Sequence, residues 1–299
     1  MNYDTLADLY LRPPPGHVTP PPVPQTPARR LRDALEPIAT HAWWCRPTNE
    51  AMEENGLLFF PAYVWGRAAS LGEPPAELVQ CTFAVFEPNF LAGVYGEGRA
   101  ACSREEILAL REGPTVTSLG SVVSGDEVPR VAGLLRRAVQ EADGTGRPLF
   151  CGLRSLSWPD APVGQLWRAA EMVREHRGDS HIAVCVAAGL DPVEMTVLTE
   201  LWLGMPLGSY LLTRGFVGEP LELALATLEE RGWVADRQLT PTGRHERDRI
   251  EQQTDELQAG IVRALGDELD GVVEAANRWS DAVIAAGAFP GDPHKRAAG

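Results

Sequence analysis

Lysine is almost missing from this chain, and so are the signatures that usually announce a reaction. Lys295 is the one lysine; every other basic side chain is arginine, a ratio that points to a GC-rich genome and to no particular activity. Basic residues number 27 against 41 acidic ones, for a formal charge of −14. Polyanion binding draws on phosphate neutralisation by Lys and Arg, so a nucleic-acid surface here needs a local basic patch set against the overall sign. No apolar run reaches the roughly 18 residues of a spanning helix, which sets membrane partners aside. The opening MNYDTLADLYLRPPPG has neither the basic region nor the apolar block of a secretory signal, so the expected location is cytoplasmic. Five cysteines, at positions 45, 81, 102, 151 and 185, stand singly with no CxxC pair. That argues against a disulfide framework or a cysteine zinc knuckle and leaves reduced thiols. No P-loop, HExxH or GxSxG string occurs. Gly93-Val94-Tyr95-Gly96-Glu97-Gly98 follows no convincing strand, so a dinucleotide-binding fold is not expected.

What is present is the composition of a globular protein, 44% hydrophobic and 23% charged over 299 residues, enough for a large core and two domains. The pattern divides the chain into a Pro-rich flexible arm (1–27), an N-terminal helical half (28–155), a C-terminal winged-helix-like half (156–288) and a flexible tail (289–299). PPPG and PPPVP in the arm favour a polyproline-like course. Thr26-Pro27 opens a helix that carries Leu31, Leu35, Ile38, Ala42 and Cys45 at helical spacing, with Pro37 kinking or dividing it. Two further helices, Ala62 to Ser70 and Ala76 to Phe86, flank the Leu71–Pro75 turn. That turn has an echo: Ala68-Ala69-Ser70-Leu71-Gly72-Glu73-Pro74 resembles Ala187-Ala188-Gly189-Leu190-Asp191-Pro192. A helix over 127–142 likewise matches one over 219–231, each followed by a glycine and a strand-like piece, which reads as an ancient duplication.

The C-terminal half carries the clearest fold signal. Leu221, Leu225 and Leu228 line a helix that ends at Arg231-Gly232, and Trp233-Val234-Ala235 is β-prone. Asp236-Arg237-Gln238 then turns into Leu239-Thr240-Pro241-Thr242-Gly243, which opens a long helix over 244–265. Helix, glycine, strand, turn and helix in this order resemble the winged helix of MarR-type proteins. The strings THAWWCRPTNEAMEENG (40–56), EHRGDSHIA (175–183), AAGLDPVE (187–194) and LTPTG extend the likeness over roughly residues 30–285. They resemble a group of actinobacterial proteins described only as helix-turn-helix domain proteins. The resemblance implies a fold and leaves activity open. The expected fold class is mainly α, with tandem, pseudo-duplicated winged-helix-like halves and short β-wings.

In a MarR-like fold the helix before the wing enters the major groove. Here that helix, Glu219 to Arg231, holds four glutamates and one arginine, and carboxylates repel phosphates. Against this stand Arg231, Arg237, Arg244, His245, Arg247 and Arg249, interleaved with Glu246, Asp248 and Glu251 as on a solvated helix face. DNA is therefore not the expected partner, and a MarR-like, ligand-responsive transcriptional regulator is the alternative.

Titratable chemistry concentrates at His176-Arg177-Gly178-Asp179-Ser180-His181, with Glu175 just before it. The spacing predicts a helix stopping at Gly178 and a second one capped by Asp179. Imidazole and carboxylate together move a proton near neutral pH, so His176, Asp179 and His181, with His41 across a pocket, are the expected catalytic groups. No cofactor is expected. A metal on His176 and His181 is the lesser alternative, because helix-borne zinc pairs are spaced i, i+4. Trp43, Trp44, Tyr63 and Tyr95 are the expected aromatic walls, with Arg46, Asn49 and Arg177 as anchors for polar ligand groups. A structural role stands beside each: Asp179 as a cap, His176 as a favourable charge at a helix end, and His41 with Cys45 as a packed core pair. The composite expectation is a small-molecule-binding protein of specialised metabolism, monomeric or homodimeric, performing non-redox acid/base chemistry.

Overall fold

A computed structural model of the protein describes residues 1–14 and 19–298. Local signals start most of its helices. Thr26 accepts a hydrogen bond from Arg29 N, and Pro27 fills the first position of α1 (Pro27–Ala39). Then come α2 (Arg46–Glu54), α3 (Phe59–Ala68), α4 (Ala76–Phe83) and α5 (Pro88–Ala101). A reciprocal Ser103/Glu106 capping box opens α6 (Arg104–Val122). Proline stands in the first turn of α7 (Val128–Glu141), α8 (Pro148–Ser155) and α9 (Pro162–Ala187). A second capping box, Asp191 with Glu194, opens α10 (Pro192–Leu203), which Gly204 closes at φ 73°. After α11 (Glu219–Glu230), β1 (Val234–Ala235) pairs antiparallel with β2 (Gln238–Leu239), Val234 opposite Leu239. The chain ends in α12 (Pro241–Glu256), α13 (Ala259–Leu265), α14 (Leu269–Ala285) and α15 (Pro293–Ala298).

The long α9 is the axis of the molecule, packing against α1, α6, α7, α8 and α12. Its Trp167 and Met172 join Leu31 and Leu35 of α1, Leu135 of α7 and Trp279 of α14 in one core. Burying side chains of this size contributes about 2 kcal/mol each, so a core drawn from both the 28–155 and 156–288 stretches couples them strongly. A second cluster forms where α3 meets α5, and a third where α10, α11 and the hairpin meet α12.

The third cluster gathers α10, α11, the hairpin and α12. Its LTPTG turn is dictated by two contacts. Thr240 accepts from Gly243 N at 3.0 Å and donates to the Gly232 carbonyl at 2.7 Å. A Cβ on Gly243 would lie 1.9 Å from the Trp233 carbonyl oxygen, so only glycine lets the helix start this close to the wing. The molecule is thus mainly α with one small hairpin. The paired corners expected by echo are both present as helix-to-helix turns, with Gly72 at φ 94° and Gly189 at φ 71°.

Several expectations are corrected. A second wing is absent among the described residues. After α7, Asp143 instead accepts from Thr145 N at 3.1 Å in a tight turn that leads through Gly146 into α8, leaving no apolar pair to extend. The hexad does not divide two helices, because α9 runs unbroken from 162 to 187. Glycine inside a helix costs only about 1 kcal/mol, and burial of Arg177, Asp179 and Ser180 around Gly178 outweighs it. Asp179 does cap a helix, but a neighbouring one: it accepts from Phe150 N at 3.0 Å in the first turn of α8. The helix expected over 244–265 is broken at Leu257-Gln258, where the fully buried Gln258 side chain turns inward to His176 Nδ1 at 3.0 Å. The arm and tail are not loose along their whole length. Residues Tyr3–Leu6 are helical with Tyr3 and Leu6 in the core, Phe289 is buried, and α15 docks on α1 and α10. The proline stretch includes residues 15–18, which lie outside the described residues. No single helix among the described residues is long and apolar enough to cross a membrane.

Candidate functional site

The middle of α9 borders a cavity of about 150 Å³. Arg177, Asp179 and His181 reach it from the hexad, as does Glu175, while Tyr63, Phe83, Phe86 and Tyr210 supply aromatic wall. A second cavity of about 90 Å³ is walled by Trp43, Trp44, Phe59 and Phe60. Tyr63, Arg174, Tyr210 and Arg214 border both, so the two are neighbouring lobes that meet at a shared seam of side chains. The larger lobe alone matches the cavity volume that takes up a benzene molecule in an engineered protein interior.

The first lobe is rich in arginine. Seven arginines border it: 29, 32, 67, 174, 177, 214 and 247. Six have carboxylate partners. Arg29 and Arg247 reach Glu251 at 2.7 Å, Arg177 reaches Glu251 and Asp255, and Arg32 meets Asp33 at 2.6 Å. Arg67 and Arg174 both hold Glu175, at 2.9 Å, and Arg174 also reaches Glu36 at 3.2 Å. Burial alone would raise the Glu251 carboxyl, yet Arg177, Arg247 and Arg29 outweigh it and hold the group well below the usual range. Glu175 is lowered in the same way, by Arg67 and Arg174 against burial.

Asp179 behaves differently. Burial, reinforced by the neighbouring negative charge of Glu175, pushes it up to about 7 despite the hydrogen bonds from α8. It is the one hexad group poised to gain or lose a proton near neutrality. Burial takes His176 down to about 4 and His181 down to about 3, so both are neutral imidazoles. His181 borders the cavity, with Nδ1 3.2 Å from Thr254 Oγ1. His176 lies outside the lining, its Nδ1 on Gln258 and its ring edge-on to Phe150 at 4.9 Å. Five residues along α9 rotate the two imidazoles by roughly 140° relative to each other, which sends them to opposite sides.

Other expected residues separate clearly. Trp43, Trp44 and Tyr63 line the aromatic lobe, and Arg177 lines the arginine-rich one. His41 is fully buried with Nε2 2.9 Å from Ser118 Oγ, and burial lowers it to about 4; it borders neither lobe. Arg46 is exposed between Asp4 and Glu50, both at 3.2 Å. Asn49 donates to the Trp43 and Cys45 carbonyls, which makes it a local brace. Tyr95 donates to the Pro74 carbonyl at 2.6 Å, away from both lobes. Among the described residues no three His, Cys, Asp or Glu side chains are grouped to hold a metal ion. Sequence reasoning missed Arg214, Tyr210 and Lys295, which meet at the seam; the solitary status of Lys295 was the available signal.

The outward face of α11 presents Glu219, Glu222, Glu229 and Glu230. On the wing Arg237 is tied to Glu222 at 2.9 Å, and Arg231 stacks 3.9 Å from the Trp233 ring while donating to the Ala188 carbonyl. Arg247 is buried against Glu251, and Arg249 pairs with Glu246 at 2.8 Å.

Neither the curated proteins nor the solved structures contain a match to this chain. A family model described as a helix-turn-helix family matches residues 28–290, nearly the whole chain including α9 and the wing. With that match across most of its length, the chain belongs to this helix-turn-helix family.

Proposed function

We propose that the protein binds a small organic molecule in the two-lobed cavity against α9, and that Asp179 performs acid/base chemistry on it. The observation that carries this reading is a cavity-facing carboxyl near pH 7, set between paired guanidiniums and aromatic walls. Titratable groups tuned toward neutrality in an apolar cavity are the usual hallmark of a reacting site. Asp179 donates when neutral and accepts when ionised, and the guanidiniums of the first lobe stabilise negative charge developing on the guest. His181, Arg177, Trp43, Trp44 and Tyr63 then act as cavity wall and orienting groups. The acidic outward face of α11 and the internal pairing of the wing arginines support a helix-turn-helix scaffold used for a guest compound in place of DNA. The cavity has α3 and α4 on one side and α10 on the other.

Thermal shift against a panel of single-ring compounds of varied charge tests the reading. A guest present at a hundred times its dissociation constant adds about 2.7 kcal/mol to stability, a rise of several degrees in Tm. Asp179→Asn should keep that rise and lose turnover. An unmoved Tm across the panel, together with salt-sensitive retention on duplex DNA, would favour the ligand-responsive regulator instead.

A further inference from the structure

We infer that the guest is a small organic anion built on an apolar ring, with its negative group held at the seam between the lobes by Arg214 and Lys295. This rests on the small-molecule reading above and narrows it to a chemical class. Arg214 stands apart from the other cavity arginines: it has no carboxylate partner among the described residues. Its Nη2 donates to Tyr210 Oη at 2.6 Å, and its Nε is buried with no hydrogen-bond acceptor. The guanidinium lies 4.7 Å from the Phe86 ring centre and 4.6 Å from that of Tyr210, held by aromatic rings in place of a carboxylate.

Lys295 approaches the same tyrosine from α15, its Nζ 4.6 Å from the ring centre, and it too has no carboxylate partner among the described residues. Asp292, three residues before it, is engaged by His294 Nδ1 at 2.6 Å. Two partly buried cations with no carboxylate within ion-pair distance are costly, and burial lowers Lys295 although Tyr210, Asp292 and Glu200 act from further away to raise it. A carboxylate at the seam would supply negative charge to the Arg214 guanidinium that lines both cavities and pair with the ammonium of Lys295. Trp43, Trp44, Phe59 and Phe60 lie immediately beyond, giving a ring attached to that carboxylate an aromatic enclosure. Lobes of about 150 and 90 Å³ hold one ring with a short acid arm and leave no room for a nucleotide.

Calorimetric titration of the full chain with phenylacetate and with phenylacetamide, which match in shape and differ in charge, tests this. The acid should bind at least tenfold more tightly than the amide, as expected for a charge-assisted hydrogen bond. Arg214→Gln and Lys295→Gln should each erase most of that preference, by weakening the acid far more than the amide. The lysine variant, at the less buried position, decides the matter should the arginine variant fail to fold. Equal affinity for acid and amide in the unaltered protein overturns the anion assignment and leaves the small-molecule reading standing. A preference that survives in both variants overturns the role of these two residues. Absence of saturable binding by either probe overturns both readings.

Discussion

Asp179 carries two tasks that pull against each other: it caps α8 as an acceptor, and it sits where burial favours its neutral form. Its folded pKa of about 7 lies above that of a free carboxyl, so between about pH 4 and pH 7 the native protein keeps a proton that the unfolded chain has released. Stability from this group is therefore full below that window, falls as pH rises through it and is lost above. Relative to Asp179→Asn, the unaltered protein should lose about 1.4 kcal/mol per unit of that shift, a few kcal/mol in all, read from urea transitions at pH 4.5 and pH 7.5. A difference that grows with pH in the other direction would refute the assignment. His41 and His176 oppose this trend. Both are depressed to about 4, chiefly by burial, so the unfolded chain takes up protons first and stability drains as pH falls from about 6.5 toward 4. His41→Phe should flatten that acid limb, as measured by the same denaturation series. At this scale the hexad was legible as the place where titratable groups gather. The silence of its two imidazoles was not, because depression by burial depends on neighbours far away in the chain. Arg214 stayed hidden for the same reason: that it lacks a partner is a fact of space.

Elements were legible where a local contact decides them. LTPTG marks the start of α12 because Thr240 satisfies the turn locally, reaching Gly243 three residues ahead and Gly232 eight residues behind. Gly243→Ala forces the turn open against the Trp233 carbonyl and should cost about 1–3 kcal/mol, with loss of the hairpin signals in NMR. Elements set by tertiary contact escaped sequence reading. The break between α12 and α13 follows from Gln258 reaching inward to His176, and nothing in the local pattern of Gln252 to Ala259 announces it. Gln258→Leu leaves the His176 Nδ1 without its partner and should destabilise by about 1–3 kcal/mol in urea denaturation. Continuity of α9 through Gly178 likewise depends on what packs around it, and its length hides the boundary that composition suggested near residue 155.

For the whole molecule the decisive cluster is Glu251 with Arg29, Arg177 and Arg247, which ties α1, α9 and α12 at a single buried carboxylate. Removing one member of a buried ionic group leaves the others uncompensated, so Glu251→Ala should lose about 3–5 kcal/mol and split one unfolding transition into two, seen by calorimetry. A small change would mean that α9 alone couples the two stretches. Composition and pattern conveyed a mainly helical chain with a small hairpin before its last long helices; they could not convey that Arg29 pairs with a carboxylate 222 positions away. The lone lysine has a practical corollary. Amine-directed acylating reagents meet a molecule whose side chains offer them a single target, and that amine is less basic than usual and hence more nucleophilic near neutrality. Mass-resolved labelling of that one position becomes a direct gauge of whether the seam is open or filled, in a purified sample or in a cell extract.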